Sequence, residues 1–184
     1  MASTGIGQDI RSLRHARSMT LEDLASAVGK SPGWLSKVER SLSTPDIGAL
    51  QSLARCLGVP MSVFFGVAEA PEAERGRVVR ARARRKIGER ERGLVEELLS
   101  PDLGDDFEMI HSTFLPGARL ETPRRRATSE VVYLQSGTLD IWIGDQPYTV
   151  EAGDSFRIKG AAYRWANPYP DAAVAIWVIS PPVY

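Results

Sequence analysis

The sequence predicts two folded parts: an all-α head of five short helices over residues 1–66 and an all-β barrel over residues 78–184, joined by a linker at 67–77. Three observations predict it. Apolar residues recur at helical spacing from Ile6 to Phe65. From about Leu94 the period changes to alternation, in runs such as FEMIHSTFL, TLDIWIG and AAVAIWVIS cut by Gly, Pro and Asp turns. Charge is also divided: residues 1–66 carry 7 Lys/Arg against 5 Asp/Glu, 67–93 carry 9 against 5, and 94–184 carry 7 against 13. A basic front and an acidic rear fit a nucleic-acid-binding head on a body with another task.

Composition bounds the function classes. The chain has 184 residues, 43% of them apolar and 25% charged, which suits a folded protein with one large or two small domains. No run of about 18 apolar residues occurs, so no membrane span or membrane partner is expected. The opening MASTGIGQDIRSLRHAR lacks the apolar core of a secretory signal. A single cysteine, Cys56, excludes an internal disulfide and reads as a small buried residue. A cytoplasmic location is expected.

The head follows element by element. Ile6, Ile10 and Leu13 form the inner face of a first helix, with Arg11, Arg14 and Arg17 around it. Thr20 is a good N-cap with Asp23 as its capping-box partner, and Leu21, Leu24, Ala25 and Val28 make one apolar face. Gly29 ends that second helix. Ser31 caps the third, with Pro32 at its first position and Leu35 and Val38 inward. Asp46 caps a fourth, whose inner face is Ile47, Leu50, Leu53, Ala54 and Leu57. Val59, Pro60 and Met61 open a short fifth, ending in Val63, Phe64 and Phe65.

The segment TLEDLASAVGKSPGWLSKVER, with small Ala25, then Gly29, Leu35 and Val38, resembles the helix-turn-helix of phage repressors and XRE-type bacterial regulators. The resemblance covers residues 6–66 and implies a lambda-repressor-like DNA-binding domain. It implies that the helix from Ser31 to Arg40 enters the DNA major groove. The positions that match DNA contacts are Thr20, Ser31, Pro32, Gly33, Trp34, Ser36, Lys37 and Arg40, with Lys30 a further phosphate contact. It further implies an Arg14–Glu39 ion pair that is structural. Pro32 and Gly33 offer no side-chain hydrogen bond, so readout leans on Lys37, Ser36, apolar contact and DNA shape. Trp34 reads as packing against the fourth helix or as a base contact.

Between the parts, Arg77, Arg80, Arg82, Arg84, Arg85 and Lys86 make a basic run. Val78–Arg84 alternates as an edge strand of the body would. The other reading is extra backbone contact to DNA beside the operator.

In the body, Leu139, Ile141 and Ile143 take one face of their strand and Asp140 and Trp142 the other. The landmarks Pro116-Gly117, Glu130, Gly137, Gly153-Asp154 and Asn167-Pro168 resemble those of the cupin domain, a double-stranded β-helix. Metal-binding members place two histidines and a glutamate in the first motif and a third histidine in the second. Here those positions hold Arg124, Arg126, Glu130 and Tyr163. Arginine has no lone pair for a metal, so no metal, no cofactor and no metal-dependent chemistry are expected. Two guanidiniums inside a barrel need anionic partners. Either they pair with Glu130, or they hold a small anionic or zwitterionic metabolite beside Tyr163 and Trp165, with Trp142 and Trp177 as further candidates.

Together these readings describe a DNA-binding transcriptional regulator that is not an enzyme. The expected partners are a palindromic double-stranded operator, a small-molecule effector and a second copy of the chain, in a homodimer or higher homo-oligomer paired through barrel edge strands. The alternatives are a cupin enzyme carrying a DNA-binding-like head, which turnover of a candidate ligand would reveal, and a barrel that serves only as a dimerisation scaffold.

Overall fold

A computed structural model describes residues 5–65, 71–74, 76–87 and 91–183. The chain divides into two units. The first takes in the described residues up to Arg85 together with Ser100–Asp106, and the second comprises Lys86–Leu99 and Phe107–Val183. Of the linker expected at 67–77, residues 67–70 and 75 lie outside the described residues.

The first unit holds four α-helices: α1 (Ile6–Ala16), α2 (Leu21–Ala27), α3 (Pro32–Glu39) and α4 (Ile47–Cys56). Their starts follow the capping chemistry of the sequence. The Thr20 hydroxyl oxygen accepts from the Asp23 backbone while the Asp23 carboxylate accepts from the Thr20 backbone. Ser31 and Asp46 accept from the Trp34 and Ala49 backbones. Gly29 takes the left-handed conformation (φ 66°) that turns the chain from α2 toward α3. Ile10, Leu13, Leu24, Ala25, Leu35, Leu53 and Leu57 are wholly buried. Gly7 lets α1 approach α3 closely, since a Cβ there would stand 2.2 Å from the Val38 carbonyl oxygen.

Three expectations are corrected. The fifth helix is a four-residue 3-10 turn, Met61–Phe64, closed by a Val63 N–H to Pro60 carbonyl bond. So short a stretch does not offset helix nucleation, and it is held by burial of Val63 and Phe64. Ile47 is 69% exposed, not inward. At the first position of α4 its side chain tilts back toward the helix start, past the end of the core. Cys56 is half-buried, with Sγ donating to the Ala27 carbonyl.

The second unit is two antiparallel sheets. The strands are β1 (Arg85–Lys86), β2 (Leu94–Leu98), β3 (Glu108–Phe114), β4 (Ser129–Ser136), β5 (Thr138–Ile143), β6 (Gln146–Glu151), β7 (Ser155–Lys159), β8 (Tyr163–Ala166) and β9 (Ala173–Ser180). The larger sheet runs β1-β2-β3-β9-β4-β7 and the smaller β6-β5-β8. Buried residues alternate along β3, β4 and β9, and Phe114, Val132, Leu134, Leu139, Ile141 and Ala175 are almost completely buried. The edge strand expected over Val78–Arg84 is absent: Ala81–Ala83 form a 3-10 turn, and pairing starts only at β1. The alanines favour a helical turn, and Arg80 is drawn into a local ion pair with Glu74.

Candidate functional site

In the first unit, α3 carries the expected contacts on one stripe. Gly33, Ser36, Lys37 and Arg40 stand at i, i+3, i+4 and i+7, opposite the buried Leu35 and Val38. Ser31, Pro32, Gly33, Lys37 and Arg40 are exposed, as is Thr20 at the start of α2. Ser36 and Trp34 are half-buried. Arg40 folds back so that Nε donates to the Ser36 carbonyl at 3.2 Å. Lys30 Nζ lies 5.5 Å from the Trp34 ring centroid, placing a cation and an aromatic beside the start of α3. Pro32 lacks an N–H and that of Trp34 goes to Ser31. A Cβ at Gly33 would meet nothing within 4 Å, so no packing demand inside the protein explains glycine there.

The stripe is held from behind. Arg14 of α1 donates from Nε and Nη2 to the two Glu39 carboxylate oxygens at 2.7 and 2.8 Å, with both side chains under a tenth exposed. Nη1 of the same guanidinium donates to the Met19 carbonyl. This pair is structural, as the resemblance implied. Nearby, an open hollow of about 730 Å³ in the first unit mixes Arg11 and Arg40 with Glu39, Asp102 and Asp105. Its opposite charges offset one another instead of converging on a ligand of one sign.

In the second unit, Arg124 and Tyr163 are bridged through their backbones by two bonds of 2.8 Å. Their side chains, with those of Arg126, Trp165, Glu96, Ser112 and Trp177, line a cavity of about 20 Å³. That volume admits a water molecule and not a metabolite. Arg124 Nη2 donates to Glu91 at 2.8 Å, and Arg126 lies 3.9 Å from Glu130. Glu130 is completely buried, and one of its oxygens accepts from the Thr128 hydroxyl. Glu130 Oε2, Ser112 Oγ and Trp177 Nε1 are buried without a hydrogen-bond partner among the described residues. Burial and the Glu130 charge push the Tyr163 phenol above its ordinary pKa, although Arg126 and Arg124 act the other way.

Of the barrel residues expected from sequence, Arg124, Arg126, Tyr163 and Trp165 are brought together, with Glu130 beside Arg126. Trp142 is not. It faces away from the buried Ile141–Trp165 row, and the Arg164 guanidinium stacks 3.8 Å from its ring centroid. Strand alternation decides this, because Ile141 next to it points inward. Glu91, Glu96 and Ser112 were missed. A signal for Ser112 existed: it falls between Ile110 and Phe114 at an inward position of an alternating strand. Nothing local marks Glu91 as a partner of Arg124.

The fold's metal position does not fit a metal here. Two of the side chains are guanidiniums, the phenol is held in its neutral form, and one carboxylate remains. Among the described residues no group of three or more His, Cys, Asp and Glu side chains is placed to hold an ion. Asn167, a landmark of the second motif, is structural: its Nδ2 donates to the carbonyls of Phe114 and Asp171.

Comparisons agree with both units. Residues 6–62 match the family described as helix-turn-helix domain, and residues 110–179 match that described as cupin domain. Over 149 residues, 80% of this chain and 78% of the relative, the chain is 27% identical to the HTH-type transcriptional regulator SutR of Escherichia coli. Over 97 residues it is 34% identical to an uncharacterized HTH-type transcriptional regulator of Mycobacterium bovis, spanning 52% of this chain and 38% of that protein. The crystal structure of an RmlC-like cupin from Shewanella frigidimarina superposes with a TM-score of 0.50 at 17% identity, covering 64% of this chain and 96% of that one, a likeness of fold alone. No described helix is long and apolar enough to cross a membrane. The two matches show a helix-turn-helix domain followed by a cupin domain, and the relatives the chain is similar to are HTH-type transcriptional regulators, in line with the resemblance read from the sequence.

Proposed function

We propose that the chain is a cytoplasmic, homodimeric regulator that docks α3 in the major groove of a palindromic operator, and that its barrel binds a small anionic or zwitterionic metabolite that alters operator binding. Lys37 and Ser36 reach base edges or phosphates, with Thr20, Ser31, Pro32, Gly33, Trp34 and Arg40 flanking them. The barrel performs no catalysis in this reading.

The observation that carries the effector reading is the cluster of half-buried Arg124 and Arg126 with buried Tyr163, beside three buried polar atoms without a partner among the described residues. Buried polar groups without partners are costly, and a ligand that supplies both an acceptor and a donor would satisfy them. Because the cavity is small, entry requires Arg124 to leave Glu91. Binding thus favours a different barrel conformation, and a ligand with unequal affinity for two states shifts their populations. That shift is the link to operator affinity.

The test is a thermal-shift screen of the full chain against mono- and dicarboxylates, phosphorylated metabolites and amino acids. Hits that disappear in Arg124→Ala and Arg126→Ala, and that change operator affinity in the parent, are expected. Silence across such a screen would instead favour a barrel that only dimerises. The carboxylates already facing both guanidiniums are the observation behind that second reading. Consumption of a hit by the protein would replace both readings with an enzyme.

A further inference from the structure

The hollow of about 730 Å³ in the first unit has two walls of opposite sign. One is the outer stripe of α1, where Gln8, Arg11, Ser12 and His15 stand at i, i+3, i+4 and i+7, and Arg40, just past the end of α3, lines the same space. The other is the segment Ser100–Asp106, which brings Asp102 and Asp105 to the hollow. That segment is fixed in place. Leu103, between the two aspartates, is buried. The Gly104 N–H donates to Asp102 Oδ1 at 2.8 Å. A Cβ at Gly104 would stand 3.3 Å from the Ser12 Cβ, so the loop backbone lies directly on α1. Glu39 also borders the hollow, but its carboxylate is committed to Arg14. Arg11 and Arg40 are left on one side and Asp102 and Asp105 on the other, and none of the four is in an ion pair with a described residue. Opposite charges that share a hollow without meeting leave room for a group between them.

We propose that this hollow binds a free α-amino acid, with its carboxylate on the Arg11 and Arg40 guanidiniums and its ammonium on the Asp102 and Asp105 carboxylates. Charge balance carries the choice of ligand. A simple anion would be attracted by two guanidiniums and repelled by two carboxylates, and a simple cation the reverse. A molecule of zero net charge whose charges are separated satisfies both walls at once. The chemistry of the ends also matches. A guanidinium fork donates to a carboxylate in parallel, and an ammonium has three N–H donors for carboxylates that only accept. The volume falls in the range of about 300–1,000 Å³ usual for small-molecule sites, which leaves space for the amino-acid side chain. The site shares no lining residue with the cavity beside Arg124 and Tyr163, so it does not rest on the barrel reading.

The test is isothermal titration calorimetry of the full chain, without DNA, against the L-amino acids. At least one is expected to bind with a Kd below about 1 mM. Its N-acetyl derivative lacks the ammonium and its decarboxylated amine lacks the carboxylate, and each is expected to bind about tenfold more weakly or worse. Arg11→Gln and Asp105→Asn each remove one charge from one wall, at an exposed and a half-buried position. Each should weaken binding by a similar factor and leave the melting of the head as in the parent. Absence of binding by every L-amino acid, an N-acetyl derivative as tight as its parent, or full binding in both variants overturns the proposal. Binding that is lost in Arg124→Ala and kept in Arg11→Gln also overturns it, because the ligand then sits in the barrel. Binding that is lost in Arg11→Gln and kept in Arg124→Ala supports the hollow, whatever the barrel binds.

Discussion

Arg14 of α1 grips Glu39 at the end of α3 through two parallel hydrogen bonds, and both side chains are removed from water. The pair fixes the rear of the helix whose front carries Gly33, Ser36, Lys37 and Arg40. Recognition at the front therefore depends on an ion pair that touches no DNA. Glu39→Gln would leave a buried guanidinium with a neutral partner, and is expected to lower the stability of the head by about 3 kcal/mol. Replacing both partners by Met and Leu is expected to recover most of that loss, because the desolvated charges are removed together. Thermal melts that resolve the head transition check both; a single variant as stable as the parent refutes the assignment.

Two glycines of the head should respond oppositely. Gly7→Ala places a methyl 2.2 Å from the Val38 carbonyl oxygen and forces α1 from α3, at a cost of about 1–3 kcal/mol. Gly33→Ala meets nothing and gains helix propensity, so stability should rise by up to about 1 kcal/mol. If α3 lies in the groove as proposed, operator affinity should nevertheless fall in Gly33→Ala. Melting and fluorescence anisotropy with a labelled operator separate the two effects.

Lys37 distinguishes two kinds of contact. As a base contact, Lys37→Ala should cost about 1–3 kcal/mol on the mapped operator and relax specificity at one position. As a phosphate contact, it should weaken all sequences alike and reduce the salt slope by about one. Binding measured at several salt concentrations on matched and altered operators reads the difference. Affinity and specificity both unchanged would remove Lys37 from the interface.

Tyr163 supplies the pH prediction. Its folded pKa lies above the ordinary phenol value, first because of burial and then because of the Glu130 charge. For such a group the stability contribution is complete below the unfolded value of about 10 and is lost as pH rises through the folded value. In an alkaline titration followed by phenolate absorbance, Tyr163→Phe should remove a late-ionising component. A component lost at the ordinary phenol pKa would mean that Tyr163 is exposed to water.

Much of this architecture was legible because its signals are local. Thr20 with Asp23, Ser31 with Trp34, and the left-handed Gly29 are interactions within a few residues, so composition and spacing reveal them. The same holds for strand alternation, which gave the inward faces of β5 and β8 and therefore placed Tyr163 and Trp165 on one side. The misreadings came where local pattern met a boundary. Ile47 has the right spacing for an inner face but stands at the end of its helix, and Val78–Arg84 alternates without a partner strand.

The sequence by itself determined the two folds, the caps that start α2, α3 and α4, the stripe on α3 and the replacement of metal ligands by Arg124, Arg126 and Tyr163. Each is a matter of residue type and short spacing. Tertiary structure alone decided which charges meet: Arg124 with Glu91, 33 residues away, and Arg126 with Glu130 beside a cavity too small for a metabolite. It also turned Trp142 outward onto Arg164 and aligned half-buried Met109 and Val178 with exposed Val131 in one row. Pairing and register between distant strands set these outcomes, and they depend on how the whole sheet closes, which no single segment encodes.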